Sequence, residues 1–289
     1  MKIQTMSIVV GTEACNAKCP FCVAGMTPSH LESNKKDPEI NDRNLDKALR
    51  FAQIGGASTI LLTGKGEPTL YPKQIKHYLT AIDGYDFPFI ELQTNGIRIA
   101  EELRWSGDLQ DWYDLCLTTI MLSVVGVDPA LNAQIYRDPY PDLAEQVKDL
   151  HKMKFMVRLC VVGIKGGVDS VYKLEELLEW CRVNKVEQVT WRPATDTDSG
   201  TRDFAINQWI ANNYIGDQAE AEIREFVEEW GIPLRPLAHG SMIYEIDRQN
   251  ICIANCLTTD PNSEDLRQII FWPSGRITHD WQHEGAILL

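Results

Sequence analysis

The chain has 289 residues, of which 44% are hydrophobic and 24% are charged. These values are close to globular averages, which excludes a disordered, collagen-like or disulfide-scaffold chain. The 41 acidic residues against 28 basic ones give a net charge of −13, which argues against a nucleic-acid partner bound through phosphate contacts. No apolar run reaches the ~20 residues that a membrane-spanning helix needs, and the amino terminus does not resemble a signal peptide. A cytoplasmic protein without a membrane partner is expected.

Strand-like and helix-like segments alternate along residues 1–195. This alternation implies a parallel sheet with right-handed crossovers. Six units are too few for a closed eight-stranded barrel, so the predicted fold is α/β, an incomplete (β/α)6 parallel barrel with catalytic groups at the carboxyl ends of its strands. The predicted strands are 3–11, 58–62, 87–93, 115–125, 155–164 and 187–192, and the predicted helices are 41–52, 72–82, 97–104, 142–153 and 171–183.

The character of the sequence changes after Pro193. A polar linker leads into a second region, 196–289, in which we predict a helix at 219–230 and β-hairpins that cap the active site. This region contains 16 acidic residues and 6 arginines, and it has no lysine. The acidic excess is either a solvated surface that aids solubility or a wall that attracts a cationic substrate.

Three of the eight cysteines stand close together after the first predicted strand. Cys15, Cys19 and Cys22 have the spacing C-x3-C-x2-C. Three thiolates on a tight loop can hold three irons of a [4Fe-4S] cluster and leave the fourth iron open to a small molecule. A structural zinc site needs a fourth protein ligand, and the nearest histidine, His30, has poor spacing for that role.

This loop, with Phe21 directly before its last cysteine, resembles the radical S-adenosylmethionine (SAM) superfamily. Further matches follow in order at the predicted strand ends, up to about residue 195. The resemblance implies that SAM chelates the open iron and that an electron from the cluster cleaves it. The products are methionine and a 5′-deoxyadenosyl radical, which abstracts a hydrogen atom. The resemblance also implies an external electron donor similar to flavodoxin or ferredoxin.

The stretch Gly64–Pro68 is similar to the family's Gly-Gly-Glu motif, with Lys65 in the place of the first glycine. The resemblance implies that backbone groups at Gly64 and Gly66, with Glu67 nearby, receive the methionine ammonium of SAM. The alternative is a simple turn between a strand and a helix, which glycine and proline alone would explain.

Other positions match the family at the ends of later strands. The resemblance implies that Thr94, Asn95 and Ser123 face the methionine carboxylate and the ribose, and that Arg158 meets the carboxylate. Ile164 lies in a stretch similar to the family's adenine-binding Gly-x-Ile-x-Gly-x-x-Glu, although valine replaces the first glycine and aspartate the glutamate. Arg192 closes the sixth predicted strand and either points into the same cavity or forms a surface ion pair.

Two further cysteines, Cys252 and Cys256, lie in the second region, where they are too few for another cluster. One of these thiols could return a hydrogen atom to the opposite face of a substrate carbon, which would invert the stereocentre. Cys252 is the first choice, because it alternates with two isoleucines and would face away from their core. The remaining cysteines, to which we assign no role, are Cys116, Cys160 and Cys181, as small buried hydrophobic residues.

This arrangement resembles radical SAM epimerases that act on aminoglycosides and peptides. Together with the acidic second region, it favours a cationic aminosugar or peptide as substrate. Three alternatives remain open: a radical SAM dehydrogenase, an activase of glycyl-radical enzymes, and a non-catalytic iron–sulfur or zinc scaffold protein. The activase alternative rests on Thr63–Leu70, which is also similar to that group.

Overall fold

A computed structural model describes residues 2–31, 38–195, 204–237, 241–254 and 265–289. In these ranges, eleven strands form one sheet in the order β11-β10-β1-β2-β3-β4-β5-β6-β9-β8-β7. The strands are β1 Ile3–Val9, β2 Thr59–Thr63, β3 Phe89–Thr94, β4 Thr119–Val124, β5 Met156–Gly163, β6 Gln188–Pro193, β7 Ile232–Pro236, β8 Met242–Ile246, β9 Gln249–Ile253, β10 Leu266–Phe271 and β11 Ile277–Thr278.

The helices lie mainly between the parallel strands. A short 3-10 helix, Pro68–Leu70, follows β2, and a π-helical turn, Ile99–Leu103, follows β3. The α-helices are α1 Val23–Met26, α2 Asp42–Ile54, α3 Pro72–Ile82, α4 Arg104–Ser106, α5 Asp108–Asp114, α6 Pro129–Ile135, α7 Leu143–Lys152, α8 Val171–Asn184, α9 Phe204–Asn213 and α10 Asp217–Trp230. None of these helices is long and apolar enough to cross a membrane.

The sheet is mostly parallel and open. Its parallel part runs from β10 through β1–β6 to β9, and antiparallel strands lie at both edges. The predicted α/β fold with a parallel sheet is therefore confirmed, but the count of six units is not. Strands β9 and β10 come from the region after residue 195 and extend the parallel run on both sides. Their pairing with distant strands has no local sequence signal.

The two faces of the sheet differ in composition because side chains alternate along each strand. One face packs against the helices in the main hydrophobic core, with residues such as Ile8, Leu62 and Leu92 fully buried. We call the opposite face the inner face. It is defined by residues that lie outside that core: Ser7, Gln93, Ser123, Cys160, Thr190 and Cys252.

Six of the 16 acidic residues of the second region lie on α10. This helix packs against α8 and β8 and buries Ile223 and Val227, while most of its carboxylates are exposed. Among the described residues, Asp280 is the one acid of the second region that lines the inner-face cavity described below. Packing thus turns the acidic face of α10 outward, and the acidic wall stays a prediction that the described part of the chain does not support.

Candidate active site

The segment that carries Cys15, Cys19 and Cys22, which we call the cysteine loop, follows β1 at the carboxyl end of the sheet. Cys15 and Cys22 are exposed and Cys19 is half-buried. Burial, with a smaller contribution from the nearby thiols of Cys22 and Cys15, raises the pKa of the Cys19 thiol to about 12. Burial also raises the pKa of Cys15. Each thiolate would thus be repelled by its neighbours, and a bound cation would remove that penalty.

The loop between β2 and the 3-10 helix packs closely against the cysteine loop. A Cβ atom on Gly66 would lie 2.1 Å from the carbonyl oxygen of Ala14, so only glycine fits there. The backbone N–H of Glu67 donates a hydrogen bond to that same carbonyl, at 3.0 Å. The Gly-Gly-Glu-like stretch therefore directly supports the residue before Cys15, which a turn unrelated to the cysteines would not do.

The carboxylate of Glu67 joins the ends of β2 and β3. It is only 3% exposed, and its Oε1 accepts hydrogen bonds from the N–H and hydroxyl of Thr69 and from the hydroxyl of Thr94. Its Oε2 accepts from the backbone N–H of Asn95, at 2.9 Å. With four donors on its two oxygens, Glu67 acts in this structure as a support of the loops.

Asn95 connects this network to the first cysteine. Its side-chain amide donates to Asn16 at 2.8 Å and lies 3.9 Å from the sulfur of Cys15. Its backbone carbonyl accepts a hydrogen bond from the hydroxyl of Tyr140. Asn95 thus lies beside the cysteine loop, and Thr94, like Asn95, donates a hydrogen bond to Glu67.

The three thiols fit an iron–sulfur cluster better than a single metal ion. In the described part of the chain, no three His, Cys, Asp or Glu side chains converge to hold one ion. In a cluster each thiolate binds a different iron, so convergence on one point is not needed. His30, the candidate fourth zinc ligand, instead contacts Arg276 at 2.7 Å and packs edge-on against Trp272.

The remaining predicted cofactor contacts are spread around the same edge. Phe21 packs against Tyr136 and Trp209. Ser123 is half-buried near the end of β4, and Ile164 lies just beyond β5 with its side chain in the main core. Arg192, near the end of β6, lines the inner-face cavity.

Arg158 lies deeper than the other predicted contacts. Its guanidinium forms an ion pair with Glu91 of β3 at 2.6 Å, and Gln93 donates to the same carboxylate oxygen. Arg158 is in register with Met121, two residues before Ser123, so it lies below the carboxyl edge. Sequence reasoning missed Glu91 and Gln93, although their alternation with Ile90 and Leu92 marks them as inner-face residues.

A cavity of about 290 Å³ opens on the inner face near the cysteine loop. Its polar lining includes Ser7, Gln93 and Gln268. Its charged lining residues are Lys65, Arg192, Arg267 and Asp280. One oxygen of Asp280 already accepts from the backbone and ring of His283 and from the N–H of Gln282. Basic residues therefore outnumber acidic ones in this lining.

Cys252 lies on the inner face of β9, while Ile251 and Ile253 point into the main core, as the alternation predicts. It is in register with Thr190, which is in register with Cys160. Cys252 is 4% exposed and does not line the cavity. Burial raises the pKa of its thiol to about 11, partly opposed by Arg158. Cys256 lies outside the described residues.

The cysteines without a predicted role differ in position. Cys181 is buried in α8, as expected. Cys160 is buried but faces the inner side, in the same cross-strand row as Cys252 and separated from it by Thr190 of β6, a placement that its apolar sequence neighbours did not indicate. Cys116 is exposed and has a φ of 66°, in the turn that ends α5, so its placement in a buried strand was wrong.

Helix α9, which the sequence analysis did not predict, lies against the cysteine loop. Trp209 contacts Phe21 with ring centroids 5.6 Å apart, and a Cβ on Gly25 would lie 2.5 Å from Ile206. At the other end of α9, the carbonyl of Asn213 accepts from the N–H of Lys165. The helix therefore connects the cysteine loop with the loop after β5.

Comparison with known proteins finds curated relatives that match part of the chain. GTP 3′,8-cyclase of Shewanella denitrificans is 30% identical over 125 residues, which are 43% of this chain and 34% of the relative. The chain thus spans about a third of the length of the curated relatives it matches.

Streptococcus suis SuiB and anSMEcpe are among the proteins whose solved structures share the fold. The first is Streptococcus suis SuiB bound to S-adenosylmethionine, with a TM-score of 0.62 at 16% identity over 96% of this chain and 60% of SuiB. SuiB was also solved bound to the precursor peptide SuiA. The second is anSMEcpe with bound AdoMet, with a TM-score of 0.56 at 14% identity over 79% of this chain and 60% of that protein.

The family itself is settled by sequence. A profile described as the Radical SAM superfamily matches residues 9–189, which include the cysteine loop, the Gly64–Pro68 stretch and strands β2–β5. The match covers more than half of the chain. The protein therefore belongs to the radical SAM superfamily, and its cofactors are a [4Fe-4S] cluster and S-adenosylmethionine.

Proposed function

We propose that this enzyme takes a hydrogen atom from a substrate C–H bond and that Cys252 returns one to the opposite face of the same carbon, which inverts the stereocentre. When bound, the cluster and SAM supply the 5′-deoxyadenosyl radical that removes the first hydrogen atom. The observation that carries the proposal is the position of Cys252. It lies on the inner face, in one row across four neighbouring strands with Thr190, Cys160 and Ser123.

The protonation state of Cys252 suits this role. Because burial raises its pKa to about 11, the hydrogen remains on the sulfur at neutral pH. In the proposed step the S–H bond breaks, one hydrogen atom passes to the substrate carbon, and the sulfur keeps one unpaired electron. An external one-electron donor of the flavodoxin or ferredoxin class and a solvent proton then restore the thiol. A solvent hydrogen therefore enters the product.

The residues around the cofactors have separate proposed tasks. Cys15, Cys19 and Cys22 bind three irons. Backbone groups at Gly64 and Gly66 receive the ammonium of SAM, while Glu67 holds the loops, because its oxygens already accept four hydrogen bonds.

The side chains nearer the cavity complete this assignment. Thr94, Asn95 and Ser123 contact the carboxylate and ribose, and Phe21 supplies apolar packing near the adenosyl group. Ile164, whose side chain lies in the main core, supports the loop after β5 from beneath. Arg192 is better placed than Arg158 to meet the carboxylate, since Arg158 lies lower and is paired with Glu91.

The proposed substrate is an aminosugar or a peptide. The solved complex of SuiB with its precursor peptide supports a peptide, since SuiB shares this fold. The basic lining of the cavity favours a substrate with an anionic group. A second candidate is therefore chemistry on a nucleotide, as in the GTP 3′,8-cyclase relatives.

The test uses anaerobically reconstituted enzyme with SAM and reductant in D₂O, offered aminoglycosides, basic peptides, acidic peptides and GTP in separate reactions. We expect 5′-deoxyadenosine and an epimerised product that carries one deuterium. Cys252→Ala should still cleave SAM but lose the epimer, while the control Cys160→Ala should keep it. Full epimerisation by Cys252→Ala would refute the assignment, and loss in Cys256→Ala instead would transfer the role to Cys256. Conversion of GTP alone would establish the second candidate.

A further inference from the structure

Lys65 is a buried lysine at the junction of two segments that flank the cluster cysteines. It is only 4% exposed, although lysine is among the residues least often buried. It occupies the place of a glycine in the motif that the stretch Gly64–Pro68 resembles. Glycine, which the motif has at this position, carries no side chain. The buried ammonium of Lys65 is therefore particular to this chain.

The ammonium of Lys65 is held by three hydrogen bonds to the segment after the last cysteine. Nζ donates to the carbonyl of Ala24 at 2.8 Å, to the carbonyl of Thr27 at 2.9 Å and to the hydroxyl of Thr27 at 2.7 Å. Cys22 is the N-cap of α1, and Thr27 is its C-cap. The carbonyls at the end of a helix lack partners within the helix, and this lysine supplies one.

The backbone on either side of Lys65 holds the segment before the first cysteine. Gly64 packs against the carbonyl of Val10, and Gly66 packs against that of Ala14. The N–H of Glu67 donates to Ala14 as well. One short loop therefore fixes both ends of the cysteine loop, the start through its backbone and the end through the Lys65 side chain.

We propose that Lys65 is a positioning residue for the cluster, which fixes the segment after Cys22 and places a positive charge beside the cysteine loop that favours the reduced cluster. Reduction adds a negative charge to a cluster that three thiolates already surround. A cation buried near it stabilises the reduced form more than the oxidised form, since the low dielectric strengthens the attraction. This inference depends on the cofactor and is independent of the proposed epimerisation.

The test compares Lys65→Met, which keeps the stem and removes the charge, with Lys65→Arg, which keeps the charge. The matched control is Lys73→Met, at an exposed lysine on α3. The measurements are iron per chain after reconstitution, the midpoint potential from an anaerobic titration followed by electron paramagnetic resonance, and the melting temperature of the cluster-free protein. None of these readouts requires a substrate.

We expect Lys65→Met to fold, to bind less iron, and to reduce less readily by about tenfold in equilibrium constant, which corresponds to ~59 mV for one electron. Lys65→Arg should recover most of the potential, and Lys73→Met should match the wild type. A Lys65→Met protein with wild-type iron content and potential would overturn the proposal. So would equal potentials of Lys65→Met and Lys65→Arg, because charge would then have no effect.

A second variant separates the fixing role from the charge. It also tests the fixing role if Lys65→Met does not fold. Thr27→Val removes one acceptor of the ammonium, together with the hydrogen bond that the hydroxyl donates to the carbonyl of Val23, and leaves the charge in place. We expect its cluster-free protein to melt at a lower temperature and its iron content to fall, with the potential close to that of the wild type. Unchanged melting and iron retention in Thr27→Val would refute the fixing role.

Discussion

Glu67 illustrates how single residues hold this site together. A carboxylate buried in a loop normally costs free energy, and here four donors from Thr69, Thr94 and Asn95 compensate for it. The side-chain amide of Asn95 in turn donates a hydrogen bond to Asn16 and lies against the sulfur of Cys15. The residue that the motif suggested as a partner of SAM is, in the structure, the support of the loop that presents the first cysteine.

Glu67→Gln should therefore destabilise the protein. The amide replaces one acceptor oxygen with a donor, so at least one of the four donors loses its partner, at a cost of about 1–3 kcal/mol. Urea denaturation of the cluster-free protein measures this cost, and Glu13→Gln, at an exposed carboxylate near the same loop, is the control. Equal stabilities of the two variants would contradict the supporting role.

Replacing one cysteine of the loop tests the cluster assignment directly. Cys19→Ala leaves two thiolates, so we expect reconstituted iron and the visible absorbance of the cluster to fall to background. The control is Cys116→Ala, because Cys116 is an exposed thiol outside the loop. Retention of a full cluster by Cys19→Ala would show that other residues bind the iron.

At the scale of elements, the site depends on close contact between loops that follow different strands. The loop after β2 lies on the cysteine loop after β1, and α9 lies on the same loop from the second region. Parallel strands bring their carboxyl ends to one edge, so residues far apart in sequence meet there. The spacing of helices and strands predicts this edge but not the packing of one loop on another.

Gly66→Ala tests this contact. The added Cβ would lie 2.1 Å from a backbone oxygen, so the loop must move away from Ala14. Overpacking costs typically about 1–3 kcal/mol, and displacement of the loop should also lower iron incorporation. Gly84→Ala is the control, since its nearest heavy atom is 3.9 Å away. The contact would be unimportant if both variants melted and took up iron alike.

At the scale of the whole molecule, one sheet joins the two regions of the chain. Strand β9 pairs with β6, and β10 pairs with β1, so the region after residue 195 continues both ends of the parallel run. The domain boundary at 195/196 stays a prediction. Because both regions contribute strands to one sheet, disruption of either region would expose a sheet edge of the other. Cys252 reaches the inner face through this pairing.

The buried thiols predict how the stability of the cluster-free protein depends on pH. Burial raises the pKa of Cys252 to about 11 and that of Cys181 to about 12, against an ordinary value of 9.0. The folded protein therefore keeps protons that the unfolded chain loses above pH ~9, so the free energy of unfolding should fall from about pH 9 towards pH 11. Below that range the contribution is fully present.

Anaerobic urea denaturation between about pH 8 and pH 11 measures this decline. Cys252→Ala should show a shallower fall than the wild type, because one raised pKa is removed. Cys116→Ala, at an exposed thiol, should leave the slope unchanged. A wild-type slope in Cys252→Ala would mean that this thiol is not buried in solution.

The sequence by itself determined the family and the parallel α/β fold, and it predicts the cluster ligands, because each depends on local signals: the spacing of three cysteines, glycines at strand ends and the alternation of strands with helices. Tertiary structure alone decided the ion pair of Arg158 with Glu91, the row that Cys160, Thr190 and Cys252 form across three strands, the outward face of α10 and the contacts of Lys65. These features depend on the register and packing of segments distant in sequence, which no local pattern encodes.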